Sequence, residues 1–135
     1  MVQCMNHLDK SASYPVDRTT GEVSADDYDA IVLPGGVANP DELRMDDDAL
    51  QLLQKAMGSD KPVAAICHGP WTLVEAHVWR NRTLTSWPSI RTDIRNAGGK
   101  WVDQEVCVDG MLVTSRKPDD IDAFCRALIE CMSGG

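Results

Sequence analysis

The residues in this sequence best suited to covalent chemistry are Cys67 and His68. They are adjacent at the end of the apolar run Pro62-Val63-Ala64-Ala65-Ile66 and are followed by Gly69-Pro70. Such a run, stopped by Cys-His-Gly-Pro, predicts a buried strand ending in a sharp turn into a helix. Pro70 fits the first turn of that helix, where a missing N–H costs nothing, and Trp71 to Val78 can continue it. Cys67 then sits on the turn, near the positive end of the helix dipole and free backbone N–H groups, a setting that favours a nucleophilic thiolate. The same segment also fits a plain buried cysteine at a strand end, since free Cys is among the most buried residue types.

An equivalent turn carries the serine of Gly-x-Ser-x-Gly nucleophile elbows at the carboxyl edge of a sheet, here with Cys in place of Ser. Tyr28-Asp29-Ala30-Ile31-Val32-Leu33 is a second short apolar run, ending in Pro34-Gly35-Gly36. It suits a parallel strand buried on both faces, and the glycine pair allows close backbone approach, which makes Gly36 a candidate oxyanion donor. A plain loop fits the glycines equally. A dinucleotide fingerprint does not, because no Gly-x-Gly-x-x-Gly is present. His7 and Asp9 lack a third ligand at a sensible spacing, so they read as surface polar residues and no metal is expected. Helical spacing carries Glu75 and His77 away from the turn, toward solvent.

Around these residues the pattern is strand, helix, strand. A loop through Asn39-Pro40-Asp41 leads to Asp46, Asp47 and Asp48, which cap and charge the start of a helix bearing Leu50, Leu53 and Met57 and ending at Gly58. The crossover suits a right-handed βαβ unit, with Cys67 at the carboxyl end of the second strand, where open α/β sheets bind ligands. Upstream, Val2 to Asn6 reads as a strand, Tyr14 to Val23 as extended chain turning at Gly21, and Ser24 to Asp27 as a cap or turn. Downstream, Thr83-Leu84-Thr85 is a brief strand. Ser86-Trp87-Pro88-Ser89 caps a helix through Ile90, Ile94 and Ala97 that ends at Gly98-Gly99. Trp101-Val102 and Val106-Cys107-Val108 read as strand, and Asp109-Gly110 as a hairpin turn into Met111 to Ser115. Lys117 to Asp120 then caps a last amphipathic helix with Ile121, Phe124, Cys125, Leu128 and Met132.

The chain of 135 residues, 43% of them hydrophobic, supports one domain spanning 1–135 with a single core. With 13 basic against 21 acidic residues, net charge −8, it has no basic face for phosphates, and nucleic acid is not an expected partner. No run approaches the ~20 apolar residues that cross a bilayer, and Met1 to Cys4 lack a signal-peptide layout. A cytoplasmic location without membrane contact is expected. The cysteines Cys4, Cys67, Cys107, Cys125 and Cys131 are odd in number and show no C-x-x-C spacing, which argues for free thiols.

Four stretches in order resemble the PfpI family of the class I glutamine amidotransferase-like superfamily, which contains intracellular cysteine peptidases and glyoxalase or deglycase proteins. They are Val32 to Gly36, Ala64 to Pro70, Leu84 to Pro88 and Val113 to Pro118. The resemblance implies a flavodoxin-like α/β sandwich with a mainly parallel sheet. It assigns Cys67 as nucleophile, His68 as its neighbouring histidine, and the backbone N–H groups of Gly36 and His68 as the oxyanion hole. It places Asp41 where peptidase-like members have an acidic residue reaching the histidine of an adjacent subunit, so a homo-oligomer, dimer or higher, with a site near the interface is implied. No cofactor is implied.

Family members also carry a strand, a helix and another strand before the point where this sequence starts, including a glutamate that hydrogen-bonds the nucleophilic sulfur. No Glu precedes Met5. An N-terminally shortened domain is therefore expected: a start assigned late, a segment cut away, or a divergent fragment. Its strand at Ala30 to Leu33 would be left with an unpaired edge and an uncovered apolar face. A thiolate beside an imidazole and two oxyanion donors suits attack on carbonyls. The substrate classes implied are methylglyoxal, glycated side chains and peptides, in stress protection. The alternatives are a redox-sensing or holdase-like stress protein without turnover, and an inactive fragment.

Overall fold

The computed structural model describes residues 1–6, 9–78 and 80–134. Its elements run β1 (Val2–Asn6), β2 (Asp9–Tyr14), β3 (Ile31–Leu33), α1 (Ala38–Leu43), α2 (Asp47–Gly58), β4 (Val63–Ile66), α3 (Pro70–Ala76), β5 (Thr83–Leu84), α4 (Arg91–Ala97), β6 (Lys100–Trp101), β7 (Cys107–Asp109), β8 (Leu112–Ser115) and α5 (Ile121–Met132). Short 3-10 turns precede β3, α4 and α5.

The central sheet has the order β3-β4-β8-β7. β3, β4 and β8 are parallel, with Leu33 opposite Ala65 and Ile66 opposite Ser115, and β7 closes the sheet antiparallel. Side chains alternate across the pleat. Leu33, Val63, Ala65 and Leu112 pack with Leu53, Leu73 and Ile94 on the α2, α3 and α4 side, while Ala64 and Val113 meet Phe124 of α5 on the other. This is a flavodoxin-like α/β sandwich with a mainly parallel sheet. β5 and β6 form a small parallel pair, and the β1–β2 hairpin is almost wholly exposed. Among the described residues no helix is long and apolar enough to cross a membrane.

Several expectations need correction. β3 is not buried on both faces: it is the edge strand, and Val32 is 50% exposed. Asn39-Pro40-Asp41 is not a loop but part of α1. Pro40 lies in the first turn of that helix, where an amide hydrogen is not required, so it does not break it. The β7–β8 hairpin turns at Gly110-Met111, one residue later than expected, because Asp109 pairs with Leu112 and Gly110 takes the positive φ of 60°. α3 ends at Ala76 with His77 in a left-handed conformation, so Val78 lies beyond it. α5 buries Phe124, with Ala127, Leu128 and Cys131 packed beside it, and exposes Ile121, Cys125 and Met132. β2 carries no hydrophobic alternation and was not foreseen. His7 lies outside the described residues, and Asp9 is exposed on β2.

Candidate active site

The predicted strand–turn–helix is present: β4 ends at Ile66, residues 67–69 turn, and Pro70 opens α3. Cys67 holds a φ of +64°, a region that costs a non-glycine residue of order 1 kcal/mol and persists only where its surroundings enforce it. Those surroundings are visible. The Cys67 N–H donates to the Ser115 carbonyl of β8 at 3.0 Å, and the Cys67 carbonyl accepts from the Trp87 N–H at 2.8 Å. A third clamp is steric. A Cβ on Gly35 would lie 2.7 Å from Cys67 Cβ, and one on Gly69 would lie 2.8 Å from the Leu33 carbonyl oxygen. Glycine at both positions lets the loop after β3 pass directly against the turn.

Cys67 is partly exposed, and its Sγ lies 3.3 Å from Nδ1 of His68. Side chains of adjacent residues usually diverge at a turn; the left-handed backbone at Cys67 lets these two converge. Nε2 of His68 lies 3.3 Å from the Ser89 hydroxyl. The ring stacks on Trp87, with centroids 6.2 Å apart and planes at 25°, and meets Trp71 at a tilt of 57°. Burial among these groups disfavours the imidazolium and pushes the His68 pKa below its ordinary value.

Trp71 is fixed in turn. Its indole N–H donates to Asp93 at 3.0 Å, and the Arg44 guanidinium lies 5.1 Å from its ring centre while pairing with Glu75 at 3.5 Å. Gly36, with a φ of +83°, faces open space on its Cβ side. Among the described residues, neither its backbone N–H nor that of His68 donates within the chain. Asp41 is exposed on α1 and, among the described residues, makes no side-chain hydrogen bond or ion pair. The fold thus brings together Cys67 and His68, sets the Gly35-Gly36 loop against them, and leaves Asp41 facing solvent.

Ser89, Trp71 and Trp87 were missed as site residues. From sequence, Ser89 reads as part of a helix cap and Trp71 as an apolar helix position. The available signal was topological: residues directly after a strand gather with other strand ends at the carboxyl edge of an α/β sheet, and Ser86 to Ser89 follow β5 at once.

Fold and site together define a flavodoxin-like α/β protein with a turn-borne cysteine facing a histidine. The DJ-1/PfpI family matches residues 1–131, and the chain belongs to that family. It is 45% identical over 120 residues to the deglycase PfpI of Pyrococcus furiosus, a match covering 89% of this chain and 72% of that protein. It is 47% identical over 124 residues to general stress protein 18 of Bacillus subtilis, again covering 89% and 72%. Among solved structures, Drosophila melanogaster DJ-1beta superposes with a TM-score of 0.80 at 30% identity, over 87% of this chain and 63% of that one. The chain therefore spans less than two-thirds of that neighbour's length.

Proposed function

We propose that this chain is a cysteine-dependent enzyme acting on carbonyl compounds, with methylglyoxal and glycated side chains as its substrate classes and peptides as a lesser one. The observation that carries the reading is the convergence of Cys67 Sγ and His68 Nδ1 at 3.3 Å on a strained turn, with the sulfur partly exposed. The deglycase name of the Pyrococcus furiosus relative supports the substrate class, and the stress-protein name of the Bacillus subtilis relative supports a protective role.

The chemistry is balanced without an oxidant. The Cys67 sulfur adds to the aldehyde carbon of methylglyoxal, its proton passes to Nδ1 of His68, and the carbonyl electron pair moves to oxygen, giving a hemithioacetal after protonation. The unused N–H groups of Gly36 and His68 serve as donors to that oxygen. His68 then moves the carbinol C–H proton, through an enediol, to the former ketone carbon. The resulting lactoyl thioester is hydrolysed by water to lactate and the free thiol. On a side-chain amine glycated by methylglyoxal, the sulfur displaces the amine at the carbinol carbon: the C–S bond forms as the C–N bond breaks, the amine leaves with the thiol's proton by way of His68, and the same hemithioacetal results. A neutral imidazole is the form required as base, and burial of His68 favours it.

The reading extends to a homo-oligomer, because exposed Asp41 makes no side-chain hydrogen bond or ion pair among the described residues and is placed to approach His68 of an adjacent subunit. Asp41→Ala is expected to lower activity in the assembled protein, measured beside its oligomeric state; full activity in the assembled variant would remove Asp41 from the site. The central test is lactate formation from methylglyoxal by Cys67→Ser, which is expected to vanish while circular dichroism stays unchanged. Retained turnover in that variant would sink the mechanism. Peroxide consumed once per chain, without methylglyoxal turnover, would mark a redox sensor instead.

A further inference from the structure

We propose that Ser89 is a positioning residue: its hydroxyl accepts the Nε2–H of His68 and so leaves Nδ1 as the proton acceptor facing the Cys67 sulfur. The inference rests on the reading of Cys67 and His68 as nucleophile and base. A neutral imidazole has one donor and one acceptor nitrogen, and the partner of one nitrogen decides the role of the other. In His68 both nitrogens have a partner at 3.3 Å, Sγ on Nδ1 and the Ser89 hydroxyl on Nε2.

The segment carrying Ser89 is not a free loop. Trp87, two residues earlier, donates its N–H to the carbonyl of Cys67 itself at 2.8 Å, and Ile90, one residue later, is buried at 3% exposure. Ser89 is thus tied to the cysteine's own peptide on one side and to the core on the other. Trp87 and Trp71 flank the imidazole at ring-centre distances of 6.2 Å, with its nitrogens toward the sulfur and the hydroxyl.

The chemistry favours one assignment. A thiol that hands its proton to Nδ1 needs the lone pair there, so the ring hydrogen must sit on Nε2 before transfer. After transfer both nitrogens carry hydrogens. Ser89 accepts from Nε2 in both states, so it holds the ring through the proton transfer without itself changing. Among the described residues of this chain no carboxylate hydrogen-bonds His68, since Asp93 is taken by the Trp71 indole and Glu75 by Arg44; Asp41 arriving from an adjacent subunit would accept at the same Nε2 edge and favour the same tautomer.

The test uses the full chain and its variants Ser89→Ala and Ser89→Thr, with ¹⁵N-labelled histidine and the His68 signals assigned by His68→Gln. The expected wild-type spectrum shows hydrogen on Nε2 and none on Nδ1. Ser89→Ala is expected to mix the tautomers and to lower kcat for methylglyoxal roughly tenfold with KM unchanged, the scale of one lost hydrogen bond. Ser89→Thr, which keeps the hydroxyl, is expected to restore both. A wild-type ring protonated on Nδ1, or a Ser89→Ala variant with an unchanged tautomer, would overturn the proposal. The spectra need no turnover, so they judge Ser89 even if Cys67→Ser shows that methylglyoxal is not a substrate.

Discussion

The two flanks of β4 are built to different standards. On the β8 flank, Leu112 to Ser115 are all buried, Ser115 holds the Cys67 amide, and Arg116 ties the strand end to α5 through Asp120, with contacts of 2.9 and 3.1 Å. On the β3 flank the strand is three residues long, Val32 is half-exposed, and an apolar groove of about 290 Å³ runs past Tyr28, Val32, Leu43 and Leu52. The turn that carries Cys67 is held from the first flank and from the Trp87 segment. It meets the second where Gly35 and Gly69 pass the strand end. The contrast teaches that an open sheet edge and an ordered turn can coexist, because the hydrogen bonds that set the cysteine come from β8 and the Trp87 segment.

The contrast breaks most severely at Asp120, a carboxylate only 4% exposed and paired with Arg116. Asp120→Ala leaves the partly exposed Arg116 guanidinium with Asp103 as its remaining carboxylate partner and is expected to cost about 2–3 kcal/mol in urea unfolding, the scale of lost hydrogen bonds to a charged group. Hydrogen bonds from Arg116 hold the Asp120 carboxyl below its ordinary pKa. Because the folded value is the lower one, this contribution is fully present above the unfolded pKa of about 3.9 and disappears as pH falls through the folded value. The gap in stability between the natural protein and Asp120→Asn is therefore expected to be wide at pH 7 and to narrow in acid. A gap independent of pH would show that the charge is not what holds this corner.

A smaller loss is expected where the flanks meet. Gly69→Ala forces a methyl group against the backbone oxygens of Leu33 and Ile66, at 2.8 and 3.0 Å, and should cost about 1–3 kcal/mol while lowering Cys67 reactivity. The least effect belongs to the open edge. Val32→Thr removes apolar surface already half in water and is expected to change stability by no more than about 0.5 kcal/mol. A large loss there would mean that the β3 flank supports the turn after all.

This asymmetry was only partly legible in the sequence. The run Val63 to Ile66, stopped by Cys67 and opened again by Pro70, announced the strand, turn and helix, since each residue type there has a local backbone reason. The acidic start of α2 was equally plain: Asp46 caps it by accepting from the N–H groups of Asp48 and Ala49. β3 was read from its β-branched residues as buried on both faces, but composition does not report how many neighbours a strand has. The resemblance to known relatives, rather than the run itself, suggested an edge. α1 was hidden because Asn39 and Pro40 look like breakers unless their place in a first turn is known. Ser89 stayed hidden because it reaches His68 across 21 residues of chain, a contact that depends on where β5 runs.

The measurement that bears most directly on the central claim is the mass-spectrometric mapping of covalent adducts after brief incubation with methylglyoxal and acid quenching, with Cys67→Ala as the blank. The account predicts a single adduct on Cys67, appearing and decaying in step with lactate formation and absent from the blank. Lactate formed at the natural rate by Cys67→Ala, or adducts spread over Cys4, Cys125 and Cys131 with none on Cys67, would contradict it.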